Sequence, residues 1–482
     1  MSTILQKISS LALGDLVSRG LGFITSIYLA RILGPEGYGI WTTALAILSY
    51  MLWFSDLGIM QLGTREIAKS HQGSHKASDL YYSKLLWGLL VIAILLWLTP
   101  RLPYTPDIVS ISQILLLSLV PYAFHLEWMF SGKQEFATLQ IVKVLQASIF
   151  FFLVIFGLSN TLQIERAAYF YGIAITISAI LLWIIAFRKH YIKWQYPTIN
   201  SILSILSQSI QLGLGWLATQ VIILFPPLVF AYFYTEAFVG LFGASLRILL
   251  IVMMIDRVLV QILLPNLSKM WSQSSPKITS ILSNGFRFHS LIGLYGTLAI
   301  VYLAPYLIAL IYGSEYQEST LLLQLLSIII FFTFQNSIFA TSLIAMDAES
   351  NYLKANVLGG SIGALILVLS TYVFAQDTLI PIILIGLIEG IIMGFSYYYF
   401  RLTLKKQTLE PINLNLSSLY LSLCIGLGSY IGLMVLSSWS HELISMLSFI
   451  LTVISSMLHK DIRSSDIALI KSLLRHEPQA PE

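Results

Sequence analysis

Residues 29–41 read LARILGPEGYGIW and lie between two long apolar stretches. Gly34 and Pro35 end one helix, because proline fits only the first turn of the helix that follows it. Glu36 and Tyr38 are suited to the boundary between a membrane and water. The stretch therefore predicts a short hairpin at one membrane surface, between two membrane-spanning helices.

The composition of the whole chain supports a membrane environment. Hydrophobic residues make up 57% of the 482 residues and charged residues only 10%, with a mean hydropathy of +0.82. A soluble domain has about 25% charged residues, so this chain has too few charges to cover a water-exposed surface. One cysteine excludes a disulfide scaffold and a multi-cysteine metal site.

Apolar windows of about 20 residues, the length of a membrane span, predict about fourteen transmembrane helices. The windows are continuously apolar, whereas barrel strands alternate in polarity, so an all-α fold is expected. The predicted spans are 11–33, 38–61, 80–98, 108–130, 141–159, 165–187, 213–234, 237–263, 285–311, 319–344, 355–375, 378–400, 414–437 and 440–458. The first has no A-x-A-like cleavage site and is expected to be retained.

Basic residues predict the orientation of these spans. With a cytoplasmic amino terminus, the outer connections hold only Arg31, Arg101 and Arg166. Apart from Arg19, Arg247 and Arg257, which fall within spans, the other basic residues, such as Lys69 and Lys84, then fall in or beside cytoplasmic connections, as the positive-inside rule requires. The number of spans is therefore expected to be even, with both termini in the cytoplasm.

A weak internal repeat suggests two parallel halves. Three charged residues recur with a shift of 200: Glu36, Asp56 and Lys69 match Glu236, Asp256 and Lys269. Transporters are often built from such repeats, with the substrate site between them; chance similarity in apolar sequence is the alternative. The predicted parts are a helical lobe at 1–190, an interfacial linker helix at 191–212, a second lobe at 213–403, two further helices at 404–458 and an amphipathic cytoplasmic tail at 459–482. Each lobe is expected to contain about six helices.

Polar residues follow helical spacing in the first and seventh spans, which are equivalent in the two halves. Asp15, Arg19, Gly22 and Ser26 lie along the first, and Gln208, Gln211, Gly215 and Thr219 along the seventh. In a two-lobed bundle these faces would line one cavity, so Arg19 and Gln211 are candidates for substrate binding. A structural ion pair is the alternative for Asp15 and Arg19, which are one turn apart.

Other charges within the spans are also candidates, because charged residues in membranes usually face an interior or a wet cavity. Arg247 has no acidic neighbour on its own helix face and is the strongest candidate for a functional cation. Arg257 is a further candidate for substrate binding. It lies near an inner helix end with Asp256, as Asp56 does, where caps or packing pairs are the alternative.

Two carboxylates are candidates for coupling transport to an ion, namely Asp15 and Glu127. Glu127 lies beside Trp128, so a role at the membrane interface is the alternative. Glu389, between two glycines, is expected to pack helix against helix, and His125 is expected to be a packing residue. Pro226 and Pro227 fall within the seventh span and predict either a hinge or a static kink there.

Residues 8–47 (ISSLALGDLVSRGLGFITSIYLARILGPEGYGIWTTALAI) and 54–69 (FSDLGIMQLGTREIAK) resemble the amino-terminal signature of bacterial Wzx-type polysaccharide flippases. These belong to the multidrug/oligosaccharidyl-lipid/polysaccharide (MOP) superfamily. The resemblance implies a V-shaped helical transporter with a central cationic cavity, in the bacterial inner membrane. It also implies that undecaprenyl-diphosphate-linked oligosaccharides move from the cytoplasmic to the outer leaflet. SRGLGF at 18–23 is similar to the start of lipid II flippases, which implies that Arg19 faces the diphosphate.

The residues agree with such a substrate, because arginine binds phosphate bidentately and Gln, Ser and Thr can bind sugars. The alternative is a drug or cation antiporter of the same superfamily, which would need an acidic cavity. A membrane polymerase or acyltransferase is more remote, because the chain shows no Ser/His/Asp set, metal-spaced cluster or phosphate loop. We therefore expect no enzyme activity, cofactor, metal or nucleic-acid partner. The expected partners are a lipid-linked oligosaccharide, membrane lipid and the polysaccharide polymerase and chain-length proteins, with the chain itself a monomer.

Overall fold

The computed structural model describes residues 2–69, 75–159, 163–191, 195–218, 220–273, 278–406, 423–430, 432 and 441–458. Over these residues the chain is helical and contains no β-strand. The α-helices are α1 (Ser2–Asp56), α2 (Ile59–Lys69), α3 (His75–Leu98), α4 (Pro106–Leu116), α5 (Leu119–Ala123), α6 (Glu127–Gly132), α7 (Phe136–Gly157), α8 (Ile164–Arg188), α9 (Ile199–Ala218), α10 (Val221–Phe233), α11 (Glu236–Ser272), α12 (Ile278–Ile311), α13 (Ser319–Leu326), α14 (Ile328–Ala345), α15 (Glu349–Val373), α16 (Leu379–Lys406) and α17 (His441–Leu458). The predicted all-α fold is confirmed.

Ten helical stretches in the described part of the chain are long and apolar enough to cross a membrane. Their surfaces carry exposed apolar side chains; Trp97 is 62% exposed and Phe156 83%. Exposed apolar surface of this extent is typical of contact with lipid. The chain is therefore a multi-pass membrane protein. The predicted span 414–437 lies mostly outside the described residues, as does the tail 459–482, so the count of fourteen stays a prediction.

The hairpin predicted at residues 29–41 is confirmed. Gly34 has φ 67 and ψ 176 and interrupts α1. The hydroxyl oxygens of Ser26 and Tyr38 lie 2.6 Å apart on either side of it. Twelve residues of straight helix would separate two residues by about 18 Å. The chain therefore reverses direction at Gly34, and glycine is needed because its φ is positive.

Two predicted spans are interrupted. The span 108–130 is divided into α4, α5 and α6. Pro121 accounts for the first of these breaks, because it cannot donate a backbone hydrogen bond to the preceding turn. The span 213–234 is interrupted at Gln220, which precedes the start of α10, and the prolines Pro226 and Pro227 lie buried inside α10. A hinge or a static kink at the proline pair stays a prediction. The linker helix is part of α9, which continues into the start of the seventh predicted span.

The chain forms two compact units. Unit 1 comprises Met1–Arg247, Ile308–Ser319 and Leu367–Thr378. Its described core includes Trp128 and Phe130 of α6, both 0% exposed, packed with residues of α2. Gly63 allows this packing, because a Cβ atom there would lie 2.9 Å from Trp128 Cε3.

Unit 2 comprises Ile248–Leu307, Thr320–Ile366 and Leu379–Glu482. Phe339 and Phe400 belong to one of its buried clusters. Gly359 and Gly363 lie one turn apart on α15 and face α16; a Cβ atom on Gly363 would lie 2.3 Å from Cγ2 of Ile388. Small residues at this spacing let membrane helices approach closely. The predicted lobe boundaries stay a prediction.

Candidate functional site

A lysine and an aspartate are buried together in unit 1. Asp56 ends α1 and is 7% exposed; Lys84 lies on α3 and is 3% exposed. The Lys84 Nζ atom is 3.9 Å from Asp56 Oδ1 and donates to the carbonyl oxygen of His125 at 3.0 Å. The backbone N–H of Met60 donates to Asp56 Oδ2 at 3.2 Å. Such buried charges inside a membrane usually serve function.

Polar and aromatic groups surround this pair. The Lys84 Nζ atom lies 4.6 Å from the centroid of the Tyr122 ring, a cation–π distance. The imidazole of His125 is buried, and its Nε2 atom is 3.4 Å from the hydroxyl oxygen of Ser178. Two buried atoms, Asp56 Oδ1 and His125 Nδ1, have no hydrogen-bond partner among the described residues. The site therefore contains buried polar groups that are only partly satisfied.

A second ion pair extends the site. Glu127 begins α6 and forms an ion pair with Lys143 of α7; their side chains are 17% and 39% exposed. The charge of Glu127 acts on both Asp56 and Lys84. We call Asp56, Lys84, Glu127 and Lys143 the Lys84 cluster. Its four charges have balanced signs, and their burial decreases toward Lys143. The cluster could rearrange its pairing or transfer a proton between carboxylates.

The burial of Lys84 was not predicted from the sequence. Lys84 is near the start of the predicted span 80–98, and the positive-inside rule predicts that it lies in or beside a cytoplasmic connection. The helix α3 begins at His75, so Lys84 lies inside the helix and inside the protein. A lysine followed by LLWGLLVIAILLW, one span after a membrane aspartate, is the signal that could have identified it.

Asp15 and Arg19 form the ion pair that their spacing allows. Arg19 Nε is 2.6 Å from Asp15 Oδ2, and the side chains are 45% and 39% exposed. A Cβ atom added to Gly20 or Gly22 would meet nothing within 4 Å. This part of α1 therefore borders open space. An ion pair this exposed stabilises a protein by only about 0–1 kcal/mol, so stability alone gives little reason for it.

The remaining predicted residues differ in their surroundings. Arg247 is half-buried on α11, and its charge acts on the phenol groups of Tyr171 and Tyr312. Among the described residues it forms no ion pair. Arg257 is exposed, and its charge acts on the carboxylate of Asp256. The side chain of Gln211 lies outside the described part of α9.

Side-chain hydrogen bonds attach the first residues of the hairpin at 29–41 to the end of α12 and to Tyr316. The Arg31 guanidinium donates from Nε to the carbonyl oxygen of Ile311 at 2.7 Å and from Nη2 to that of Leu310 at 2.5 Å. The Tyr316 hydroxyl donates to the carbonyl oxygen of Ala30 at 2.8 Å. Arginine satisfies the last carbonyls of α12 and is favoured there by the helix dipole.

Two helices cross at backbone contact beside this hairpin. A Cβ atom on Gly39 would lie 1.8 Å from the carbonyl oxygen of Glu236, and one on Gly240 would lie 1.9 Å from that of Pro35. Only glycine fits at either position. We call this contact the glycine crossing.

Comparisons with known proteins also indicate a membrane transporter. Residues 4–271 match the family described as "Polysaccharide biosynthesis protein". The protein named "Putative O-antigen transporter" of Escherichia coli (strain K12) is 20% identical over 365 residues, which are 74% of this chain and 87% of that protein.

Two solved structures share the fold. A lipid II flippase, MurJ, in an inward closed conformation has a TM-score of 0.68 at 14% identity, covering 94% of this chain and 99% of that one. An inward-facing multidrug resistance MATE family transporter of the MOP superfamily has a TM-score of 0.67 at 14% identity, covering 83% and 98%. These relatives are transporters and flippases, and none is an enzyme. The family match covers more than half of the chain, which is therefore a member of the polysaccharide biosynthesis protein family.

Proposed function

We propose that this protein flips undecaprenyl-diphosphate-linked oligosaccharide repeat units from the cytoplasmic to the outer leaflet of the bacterial plasma membrane. The observation that carries the proposal is the family match over residues 4–271, together with a relative named as an O-antigen transporter. The fold shared with a lipid II flippase supports the proposal, because that protein is also a flippase. The proposed mechanism is alternating access, and both termini are proposed to be cytoplasmic.

The candidates for binding the substrate are Arg19, Arg247, Arg257 and Gln211. Arg19 supports the proposal because its side chain is 45% exposed beside glycines that border open space. Arg247 supports it because no carboxylate neutralises it among the described residues. A diphosphate would supply the missing negative charge, since arginine binds phosphate with two parallel hydrogen bonds.

Glu127 and Asp15 remain the candidates for coupling, and Glu127 gains support from its place in the Lys84 cluster. Its carboxylate pairs with Lys143 and acts on the buried Asp56 and Lys84. Protonation of Glu127 would release Lys143 and change the balance of charge at the buried pair. Pro226 and Pro227 keep a proposed hinge role within α10.

A reconstituted flipping assay tests the proposal. Purified protein is placed in liposomes with a fluorescent undecaprenyl-diphosphate oligosaccharide, and the fraction of lipid exposed to an external quencher is followed over time. We expect protein-dependent equilibration that Arg247→Ala slows at least tenfold. Arg101→Ala is the matched control, because it removes an arginine that stacks on Trp97 outside the proposed site. Equal rates for wild type and Arg247→Ala would overturn the assignment of Arg247.

A cation-coupled drug antiporter is the second candidate. It is favoured by the fold shared with a multidrug resistance MATE family transporter. Structural likeness at 14% identity shows the fold alone, so it does not separate the two functions. If the lipid does not move, but a proton or sodium gradient drives efflux of a cationic dye from the same liposomes, the antiporter is correct and the flippase proposal fails.

A further inference from the structure

Three connections of unit 1 surround a cleft of about 630 Å³. The cleft is lined by the segment 103–105 between α3 and α4, by residues of 231–238 where α10 ends and α11 begins, and by Thr378 between α15 and α16. Its volume is in the range of small-molecule binding sites. In the proposed orientation of the chain, all three connections lie on the outer side of the membrane, and so does the cleft.

Aromatic rings line this cleft, and packing between them fixes their positions. The rings belong to Tyr104, Tyr232, Phe233, Tyr234 and Phe238. The ring centroids of Tyr232 and Phe233 are 4.9 Å apart, and those of Tyr234 and Phe238 are 5.0 Å apart. We call this cleft the aromatic cleft. Its most accessible ring is that of Tyr232, which is 58% exposed, whereas the other four residues are partly buried.

Two of the tyrosine hydroxyls are bound to the backbone. The Tyr104 hydroxyl donates to the carbonyl oxygen of Leu228 at 3.3 Å, and the Tyr234 hydroxyl donates to that of Asp377 at 3.3 Å. These hydrogen bonds hold the two side chains in place and use their donors. A ligand in the cleft would therefore meet these tyrosines mainly through their rings.

Polar side chains of one kind of charge complete the lining. They are Thr105, Thr235, Glu236 and Thr378. Thr105 does not cap α4 with its side chain. Thr235 accepts from the backbone N–H of Phe238 at 3.3 Å, and its own hydroxyl can still donate. No basic residue is among the described residues that line the cleft, so the cleft does not suit a diphosphate. It suits a ligand with both an apolar face and hydroxyl groups.

We propose that the aromatic cleft binds the sugar chain of the lipid-linked oligosaccharide on the outer side of the membrane; this identity of the ligand rests on the proposed function. One face of a pyranose ring presents C–H groups, which pack on an aromatic face because that face carries partial negative charge. The sugar hydroxyls need hydrogen-bond partners, which the threonine hydroxyls and the Glu236 carboxylate supply. Tyr232 is the ring on which the sugar stacks, because it is the most exposed.

Saturation-transfer NMR tests this contact on the full-length protein in lipid nanodiscs. The probe is the oligosaccharide that mild acid releases from the lipid-linked repeat units of the cells that produce this protein, so it lacks lipid and diphosphate. Saturation of the aromatic protons of the protein should pass to the C–H protons of a sugar that stacks on a ring. We expect Tyr232→Ala to weaken binding roughly tenfold, because large aromatic anchors carry much of the affinity of a binding site. Tyr232→Phe keeps the ring and should keep the binding.

The matched control is Tyr169→Ala. Tyr169 lies on α8, is 51% exposed and does not line the cleft, so this variant should bind the sugar as the wild type does. Thr105→Val removes a cleft hydroxyl and keeps the shape of the side chain; we expect it to weaken binding several-fold, and it replaces Tyr232→Ala if that variant does not fold. Absence of saturation transfer, or equal binding by Tyr232→Ala and Tyr169→Ala, would assign the rings to the membrane interface and overturn the proposal.

A cationic ligand is the outcome that would replace the sugar. Aromatic rings beside a carboxylate also stabilise a quaternary ammonium ion, so tetramethylammonium is titrated as a second probe. If Glu236→Gln abolishes binding of tetramethylammonium and the sugar does not bind, the cleft is a cation site and the proposal is overturned. The soluble oligosaccharide is not transported in this measurement. Failure here is therefore distinguishable from failure of the flippase proposal, which the liposome assay measures separately.

Discussion

Replacement of Lys84 by methionine tests how strongly the buried charges of unit 1 depend on each other. The Nζ atom of Lys84 is 3.9 Å from Asp56 Oδ1, and the two side chains are 4% and 10% exposed. At this separation and an effective dielectric constant of about 20, the attraction is about 4 kcal/mol. Lys84→Met leaves Asp56 buried without its cation. Removal of one partner of a buried pair costs about 3–5 kcal/mol, and we expect a loss in this range.

The double variant separates the pair from its surroundings. Asp56→Leu combined with Lys84→Met removes both charges, so neither is left uncompensated. Apolar replacement of a buried ion pair is often neutral or stabilising. We therefore expect the double variant to be more stable than either single variant. Its loss of stability would then be smaller than the sum of the two single losses, which shows that the two sites are coupled.

Thermal or denaturant unfolding of the purified protein in detergent measures these differences. Lys69→Met is the matched control, because the Lys69 side chain is 66% exposed and forms its ion pair with Glu66 at 3.6 Å. An exposed pair of this kind contributes about 0–1 kcal/mol. If Lys84→Met unfolds at the same temperature as Lys69→Met, the buried pair does not stabilise the fold and the reasoning is refuted.

Three further predictions use other parts of unit 1. Gly240→Ala places a Cβ atom 1.9 Å from the Pro35 carbonyl oxygen and should destabilise the protein by about 1–3 kcal/mol in thermal unfolding; no loss would contradict the close crossing. Arg31→Ala removes two hydrogen bonds from the last carbonyls of α12. It should increase hydrogen exchange in 308–313, and an unchanged rate would contradict the capping role. Arg19→Ala should slow flipping several-fold and lower stability by at most about 1 kcal/mol, because the pair with Asp15 is exposed; a loss of stability without slower flipping would assign the pair a structural role.

The sequence predicts features that depend on neighbouring residues. Gly34-Pro35 was sufficient for the hairpin, because a positive φ and a missing N–H act locally. The Asp15–Arg19 pair followed from one helical turn of separation. The start of α3 was missed, because polar residues 75–79 do not enter a hydropathy window although they continue its helix.

Features that depend on packing between distant helices could not be predicted. Asp56 meets Lys84 only because α1 packs against α3. Glu389 was expected to pack helix against helix from its flanking glycines, and Gly386 and Gly390 do contact α14. The hydrogen bond from Asn336 to Glu389 depends on that packing and is not visible in either segment alone.

The glycine crossing has a consequence for motion. Packed helices normally interlock, because side-chain ridges of one fit into grooves of the other and fix the crossing angle. At Gly39 and Gly240 no side chain from either residue enters the contact. Two smooth backbones can change their angle without lifting one side chain over another, provided that they stay in contact. We therefore expect the two helices to turn about each other at the glycine crossing with less hindrance than at a contact between large side chains.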